Sequence, residues 1–323
     1  MQDPIPPAVW VREFFEPVGR LCNLPALPNH AHQILISLLF YTCAYKIAPS
    51  LFSWLFPSRY GSLNKAKRHE CHVDAVSLTQ STINSLMAVV MLYFDTDRKD
   101  ISWVERVWGF NEGNGLVMAI SLGYFIWHFV MMALHVHHYG RMMLLHGFAA
   151  CFVVLYAYRP LLIHYGPIFL VYEFSNPFLN LHRFFEKFGK HGTQLQLING
   201  IILIVVFFFC RIVWGTYHVS WLYRDMWAAV RITDENLAAY QRTLAASQGH
   251  GSSIIYVPQR IPAYFAVVHL GCNTTLLLLC YYWFCLILRK AASTLFPTAK
   301  NHKEGGSAEK PSVVMTRDGR RSD

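Results

Sequence analysis

The chain has 323 residues, of which 54% are hydrophobic and only 15% charged. Soluble domains carry about 25% charged residues, so composition argues against a water-soluble globule. The formal charge is +9, and its densest basic run lies in the tail, from Arg289 and Lys290 through Lys300, Lys303 and Lys310 to Arg320 and Arg321, without interleaved aromatics, so no nucleic-acid partner is expected.

The N-terminus carries Pro4, Pro6 and Pro7, then Glu13 and Glu16, with no basic start ahead of a short apolar core, so no cleavable signal peptide is expected. A spanning helix needs about 20 mostly apolar residues. Stretches near 31–56, 72–94, 115–136, 142–158, 161–178, 195–218 and 262–288 predict an all-α, polytopic transmembrane helix bundle of about seven spans. Pro160, Pro167 and Pro177 punctuate the fifth, which reads as re-entrant or broken, tolerated where protein covers the bend. Residues 219–261 read as a long connection, with a short helix from Glu235 to Ala246 before the Gly249-His250-Gly251-Ser252-Ser253 break. The chain divides into an N-terminal segment with the first span (1–64), a transmembrane domain (65–290) and a disordered basic tail (291–323). Seven spans put Arg59, Lys65, Lys67 and Arg68 on the side of the tail and Asp95, Asp97, Asp100, Glu105 and Glu112 opposite. The cation bias then makes the C-terminus cytosolic. Eight cysteines without a CxxC pair read as buried thiols, and no metal is expected.

Polar groups inside spans are expensive in lipid and must meet other helices or a wet cavity. At 100° per residue, Asp74, Ser77, Gln80, Ser81, Asn84 and Ser85 share one arc of the second span. Small and hydroxyl residues of this kind serve equally as glue between helices. Ser121, Tyr124, His128 and His135 share a face of the third span, and the fourth carries His146. Asn199 and Arg211 lie in the sixth, and His269 and Asn273 sit one turn apart in the seventh. A lone histidine in a bundle is usually a packing residue; convergence of several spans on polar groups favours a cavity. Arg211 needs a partner, and Glu173 is a candidate.

The ordered set Val76-Ser77-Leu78-Thr79-Gln80-Ser81, Gly123-Tyr124-Phe125-Ile126-Trp127, Leu145-His146-Gly147, Tyr172-Glu173-Phe174-Ser175-Asn176-Pro177-Phe178-Leu179-Asn180, Asn199-Gly200 and Phe207-Phe208-Phe209-Cys210-Arg211-Ile212 resembles the TLC domain over roughly residues 65–290. That superfamily includes ceramide synthases, the translocating-chain-associating membrane protein and the ceroid-lipofuscinosis endoplasmic-reticulum protein. The likeness is to TLC-domain proteins of the kind found in fungi rather than to ceramide synthases. It implies an endoplasmic-reticulum bundle whose polar centre meets membrane lipid, with a part in lipid homeostasis. In ceramide synthases a paired His-His motif and acidic motifs serve acyl transfer; here the pair becomes His146-Gly147 and the second acid becomes Asn176. Gln80 and His128 stand where His and Asp are common, and the homeodomain-like segment of some ceramide synthases is absent.

Two readings lead. In the first, the protein binds, senses or handles membrane lipids without transforming them. The cavity would be lined by Asp74, Ser77, Gln80, Ser81, Asn84, Tyr124, Ser175, Asn176, Asn180, Asn199, Arg211 and Asn273. In the second, it is an acyl-CoA-dependent N-acyltransferase acting on a sphingoid base, with His146 as base, Glu173 as its orienter and His128 nearby. A di-iron hydroxylase built on His69-Glu70-Cys71-His72 and His135-Val136-His137-His138 lacks a third matching cluster, and solvated loop histidines explain those runs better. A transporter would show interrupted helices in corresponding halves, which the sequence lacks. Membrane lipids are the expected partners, with acyl-CoA under the second reading; no cofactor is expected, and a homo-oligomer is compatible with either.

Overall fold

The computed structural model describes residues 5–94, 101–247 and 257–295, and no strand occurs among them. Asp95, Asp97 and Asp100, the break at 249–253 and the tail beyond 295 lie outside the described residues. The chain divides into one compact unit, Met1–Phe284, and a second, Cys285–Asp323, of which the described part is the last turns of the final helix.

Six helical stretches among the described residues are long and apolar enough to cross a membrane: Leu27–Leu55, Lys65–Phe94, Glu112–Leu134, Arg141–Tyr158, Gln194–Val230 and Ala263–Ser293. The elements run in order as α1 (Val9–Leu21), α2 (Leu27–Leu55), α3 (Pro57–Gly61), α4 (Lys65–Phe94), α5 (Trp103–Trp108), α6 (Glu112–Leu134), α7 (Val136–Tyr139) and α8 (Arg141–Leu155). They continue as α9 (Tyr165–Leu170), α10 (Asn176–Lys187), α11 (Gln194–Phe207), α12 (Trp214–Val230), α13 (Asp234–Ser247) and α14 (Ala263–Leu295). Expected boundaries shift in two places. Residues 219–230 extend the sixth span rather than beginning the connection, and the second span opens seven residues early with a charged turn from Lys65.

The fifth stretch is broken rather than a single helix. It comprises α9, a 3-10 turn (Val171–Ser175) and α10, with Pro167 inside α9 and Pro177 in the first turn of α10. Both prolines remove a backbone donor and force the chain to restart. The broken segment still passes from one end of the bundle to the other. At one end the Ala26 N–H donates to the Tyr158 carbonyl, the Leu162 N–H to the Val107 carbonyl, and the Tyr158 hydroxyl to the Gly115 carbonyl. At the other, Lys187 Nζ reaches Asp74 near the start of α4 at 2.6 Å. Seven traverses result, the fifth built from short pieces.

Close approach holds the frame together. A side chain at Gly123 of α6 would put its Cβ 2.6 Å from the Ser37 Cβ of α2, so only glycine lets these helices meet there. The Ser37 hydroxyl donates to the Ile120 carbonyl at 2.6 Å. At the α5 end, Arg106 makes a two-pronged contact with the buried Asp225 of α12, Nε to Oδ2 at 2.7 Å and Nη2 to Oδ1 at 2.9 Å. Tyr165 adds a third bond to the same carboxylate at 2.6 Å. That hydrogen-bonded carboxylate raises the Arg106 pKa above its ordinary value.

Candidate functional site

The polar stripe of α4 divides into two parts with different partners. At its outer end Asp74 accepts from Arg183 Nη1 at 2.9 Å and from Lys187 Nζ at 2.6 Å. Glu70 takes Lys187 at 3.1 Å and His138 at 3.0 Å. Asp74 is thus satisfied as a latch between α4 and α10. One turn inward, Asn180 donates to the Ser77 hydroxyl at 3.0 Å, and the Tyr124 hydroxyl sits beside Ser77. Ser81 is consumed locally, donating to the Leu78 carbonyl. Gln80 and Asn84 are fully buried one turn apart, and neither amide has a hydrogen-bond partner.

On α6 the Tyr124 and His128 rings stack with centroids 5.6 Å apart. His128 meets His146 of α8 edge-on at 5.9 Å, and His146 meets Trp283 of α14 at 5.2 Å. Both ring nitrogens of His128 and Nδ1 of His146 are buried without a hydrogen-bond partner. No hydrogen bond among the described residues joins Glu173 to either imidazole.

Beside these rings lies a partly open cavity, whose empty space of about 930 Å³ includes its open mouth. Its walls are apolar, built from Met118, Phe125, Ala150, Val154, Leu170, Leu222 and Leu276 among others. His146, Tyr172, Glu173, Arg211, His269 and Asn273 supply the polar lining. A mostly apolar lining with a few convergent polar groups is the polarity balance of a small-molecule pocket. His269 and Cys280, both on its wall, are eleven residues apart on α14, or about 16 Å along a helix axis.

Arg211 sits in a π-helical segment, Phe208–Val213, between α11 and α12. Such bulges insert one extra residue into a helix and recur at functional sites. The residue is 5% exposed. Nε donates to Ser175 Oγ at 2.8 Å and Nη2 to Asn176 Oδ1 at 2.8 Å, while Nη1 lies 3.8 Å from Cys280 Sγ. Asn176 Nδ2 in turn donates to Glu173 Oε2 at 2.7 Å. The expected Arg211–Glu173 partnership therefore runs through the Asn176 amide and is not a direct ion pair. The 3-10 turn makes this geometry by bringing Glu173, Ser175 and Asn176 to bear over consecutive tight turns.

Of the residues singled out from sequence, His146, Glu173, Arg211 and Asn273 line the cavity. Ser175 and Asn176 hold Arg211 in place, and His128 and Tyr124 form the aromatic layer behind His146. Asn199 instead braces α11 on α10 through the Phe178 carbonyl at 2.8 Å, and Asn180, Ser77 and Asp74 tie α10 to α4. Tyr172, His269 and Cys280 line the cavity and were not among the candidate site residues, although Tyr172 opens the polar segment and His269 lies one turn from Asn273. Arg183 and Lys187 were missed because nothing in an amphipathic run of charges signals a partner on a helix a hundred residues away.

Fold and site together define a polytopic α-helical membrane protein with a polar centre opening on an apolar cavity. The TLC domain family profile matches residues 70–289, and the chain belongs to that family. It is 34% identical to an uncharacterised TLC domain-containing protein of Schizosaccharomyces pombe, over 64% of this chain and 69% of that one. It is 27% identical to the topoisomerase I damage affected protein 4 of Saccharomyces cerevisiae, over 68% and 79%. It is also 29% identical to the human TLC domain-containing protein 4, over 63% and 73%.

Proposed function

We propose that the protein binds a membrane lipid in the cavity between α8, the broken fifth crossing, α12 and α14, and acts in lipid homeostasis of the endoplasmic-reticulum membrane. One observation carries this reading: an apolar cavity has Glu173 and Arg211, bridged by the Asn176 amide, on its wall. An aliphatic chain matches the walls and a headgroup matches the pair. The cytosolic placement of the C-terminus rests on the cations around Arg59, Lys65, Lys67, Arg68, Arg141 and Lys190, all at the end of the bundle where α4 begins.

Binding without turnover fits the polar centre better than catalysis does. A general base needs an orienting partner that fixes its tautomer, and His128 and His146 have none among the described residues. Acyl transfer, with His146 as base, keeps one supporting observation, since His146 and Glu173 share the cavity wall. Mass spectrometry of lipids co-purifying in mild detergent tests the binding reading, comparing the wild type with His146→Ala and Glu173→Gln. A lipid class enriched over bulk membrane and reduced at least about tenfold in the variants is expected, the equivalent of about 1.4 kcal/mol. Lipids matching bulk membrane in all three proteins would sink it. Formation of an N-acylated product by the pure protein from acyl-CoA and a sphingoid base, lost in His146→Ala, would establish the second reading instead.

A further inference from the structure

The charge arrangement of the cavity says what kind of headgroup it accepts. Among the described residues, Glu173 and Arg211 are the only carboxylate and the only guanidinium on its wall. They are bridged by a single amide, Asn176, which donates to one and accepts from the other. Their charges cancel within the wall. Every other polar lining group is neutral in its ordinary state near neutral pH: the Tyr172 and Tyr165 phenols, the Asn273 amide, the Cys280 thiol and the imidazoles of His146 and His269. Further charges lie off the wall in balanced groups: Asp225 with Arg106 behind Tyr165, and Asp74 and Glu70 with Arg183 and Lys187 at the α4–α10 latch.

A ligand with a net charge would bring an uncompensated ion into this chamber, at a cost of several kcal/mol. A neutral ligand would bring none. It would also find unused hydrogen-bonding capacity: Nη1 of Arg211 has only a distant thiol for company, and Nδ1 of His146, Nδ1 of His269 and the Tyr172 hydroxyl have no hydrogen-bond partner. We infer that the cavity selects lipids whose headgroup is uncharged and carries hydroxyl or amide groups, and discriminates against lipids with an anionic headgroup. This rests on the lipid-binding reading above and adds the ligand's charge class to it.

The test uses four ligands with the same saturated chain: monopalmitoylglycerol, palmitamide, palmitic acid and hexadecyl phosphate. Each is titrated against the full-length protein in nanodiscs of zwitterionic lipid near neutral pH, with bound ligand counted by native mass spectrometry. The two neutral ligands are expected to bind at least about tenfold more tightly than the two anions. Glu173→Gln leaves an unbalanced guanidinium, so it should shift the preference towards palmitate and hexadecyl phosphate by about tenfold or more. Adding Arg211→Gln to that variant restores balance and should return the preference to the neutral pair, which also controls for misfolding of the single variant. Anions binding the wild type as tightly as the neutral ligands would overturn this inference and leave the lipid-binding reading standing. So would a Glu173→Gln variant, folded by its melting curve, whose preference does not move. Failure of all four ligands to bind would overturn both.

Discussion

Tyr172 packs its hydroxyl end onto Gly215 of α12, where an added Cβ would meet the phenol oxygen and lie 2.9 Å from both Cε1 and Cζ. A ring in that position can yield only towards the cavity it lines. Gly215→Ala is expected to lower stability by about 1–3 kcal/mol, the usual cost of overpacking a filled site, read as a fall in melting temperature in detergent. It should also reduce lipid occupancy by filling part of the chamber. Tyr172→Phe added to Gly215→Ala should recover part of the stability, because the hydroxyl is one of the atoms in the way. If the single variant melts with the wild type, Tyr172 is not confined as described. At this scale the sequence was legible where cost made residues conspicuous: Glu173, His146 and Arg211 are dear in lipid, and all three line the cavity. It was illegible where a residue is ordinary by type and defined only by position. Tyr172 and Gly215 are of that kind, and so is the Asn176 amide that stands between two charges.

Among the elements, α10 depends most on a few contacts. Its anchors to α4 are the pairs of Arg183 and Lys187 with Asp74 and the Asn180–Ser77 bond. Arg183 is nearly half exposed, so its share is small. Lys187 is only 11% exposed and keeps Glu70 if Asp74 is lost. Asp74→Ala should therefore loosen α10 without unfolding the bundle, at about 1–3 kcal/mol for charge-assisted bonds. Hydrogen exchange is expected to rise across 176–187 and stay unchanged across α6; equal protection of α10 in both proteins would refute the latch. The polar arc of α4 was evident from helical periodicity alone, because an arc needs only one helix. Its division into a latch, a packing contact and two unpartnered amides depends on which neighbour each residue meets, and a single sequence does not encode that pairing in any local pattern. The fifth crossing was half legible: three prolines announced the break, but only contacts at both ends establish that the pieces traverse.

For the whole molecule, the proposed orientation has a direct check. Cys22, just beyond α1, is exposed and lies at the end of the bundle opposite the Arg59 loop. In a variant keeping Cys22 as its sole cysteine, an impermeant maleimide should label it on sealed, cytosol-out microsomes only after the membrane is permeabilised. Labelling before permeabilisation would reverse the orientation. The order of the long apolar helices was readable from hydropathy because lipid demands long apolar runs, whereas the short helices α1, α3, α5 and α7 left no such signal.

The broken crossing also bears on how the protein is made. Residues 159–187 hold Arg159, Glu173, Arg183, Glu186 and Lys187 along with Pro160, Pro167 and Pro177, a composition that does not partition into lipid unaided. Its neighbours in sequence, Arg141–Tyr158 and Gln194–Val230, are apolar enough to insert alone, yet both traverse in the same direction. Each can keep that direction only if the poor segment between them is drawn through. Membrane integration of this chain is thus not a sequence of independent insertions. The fifth crossing depends on the helices that cover it, and so does the cavity that it helps to wall.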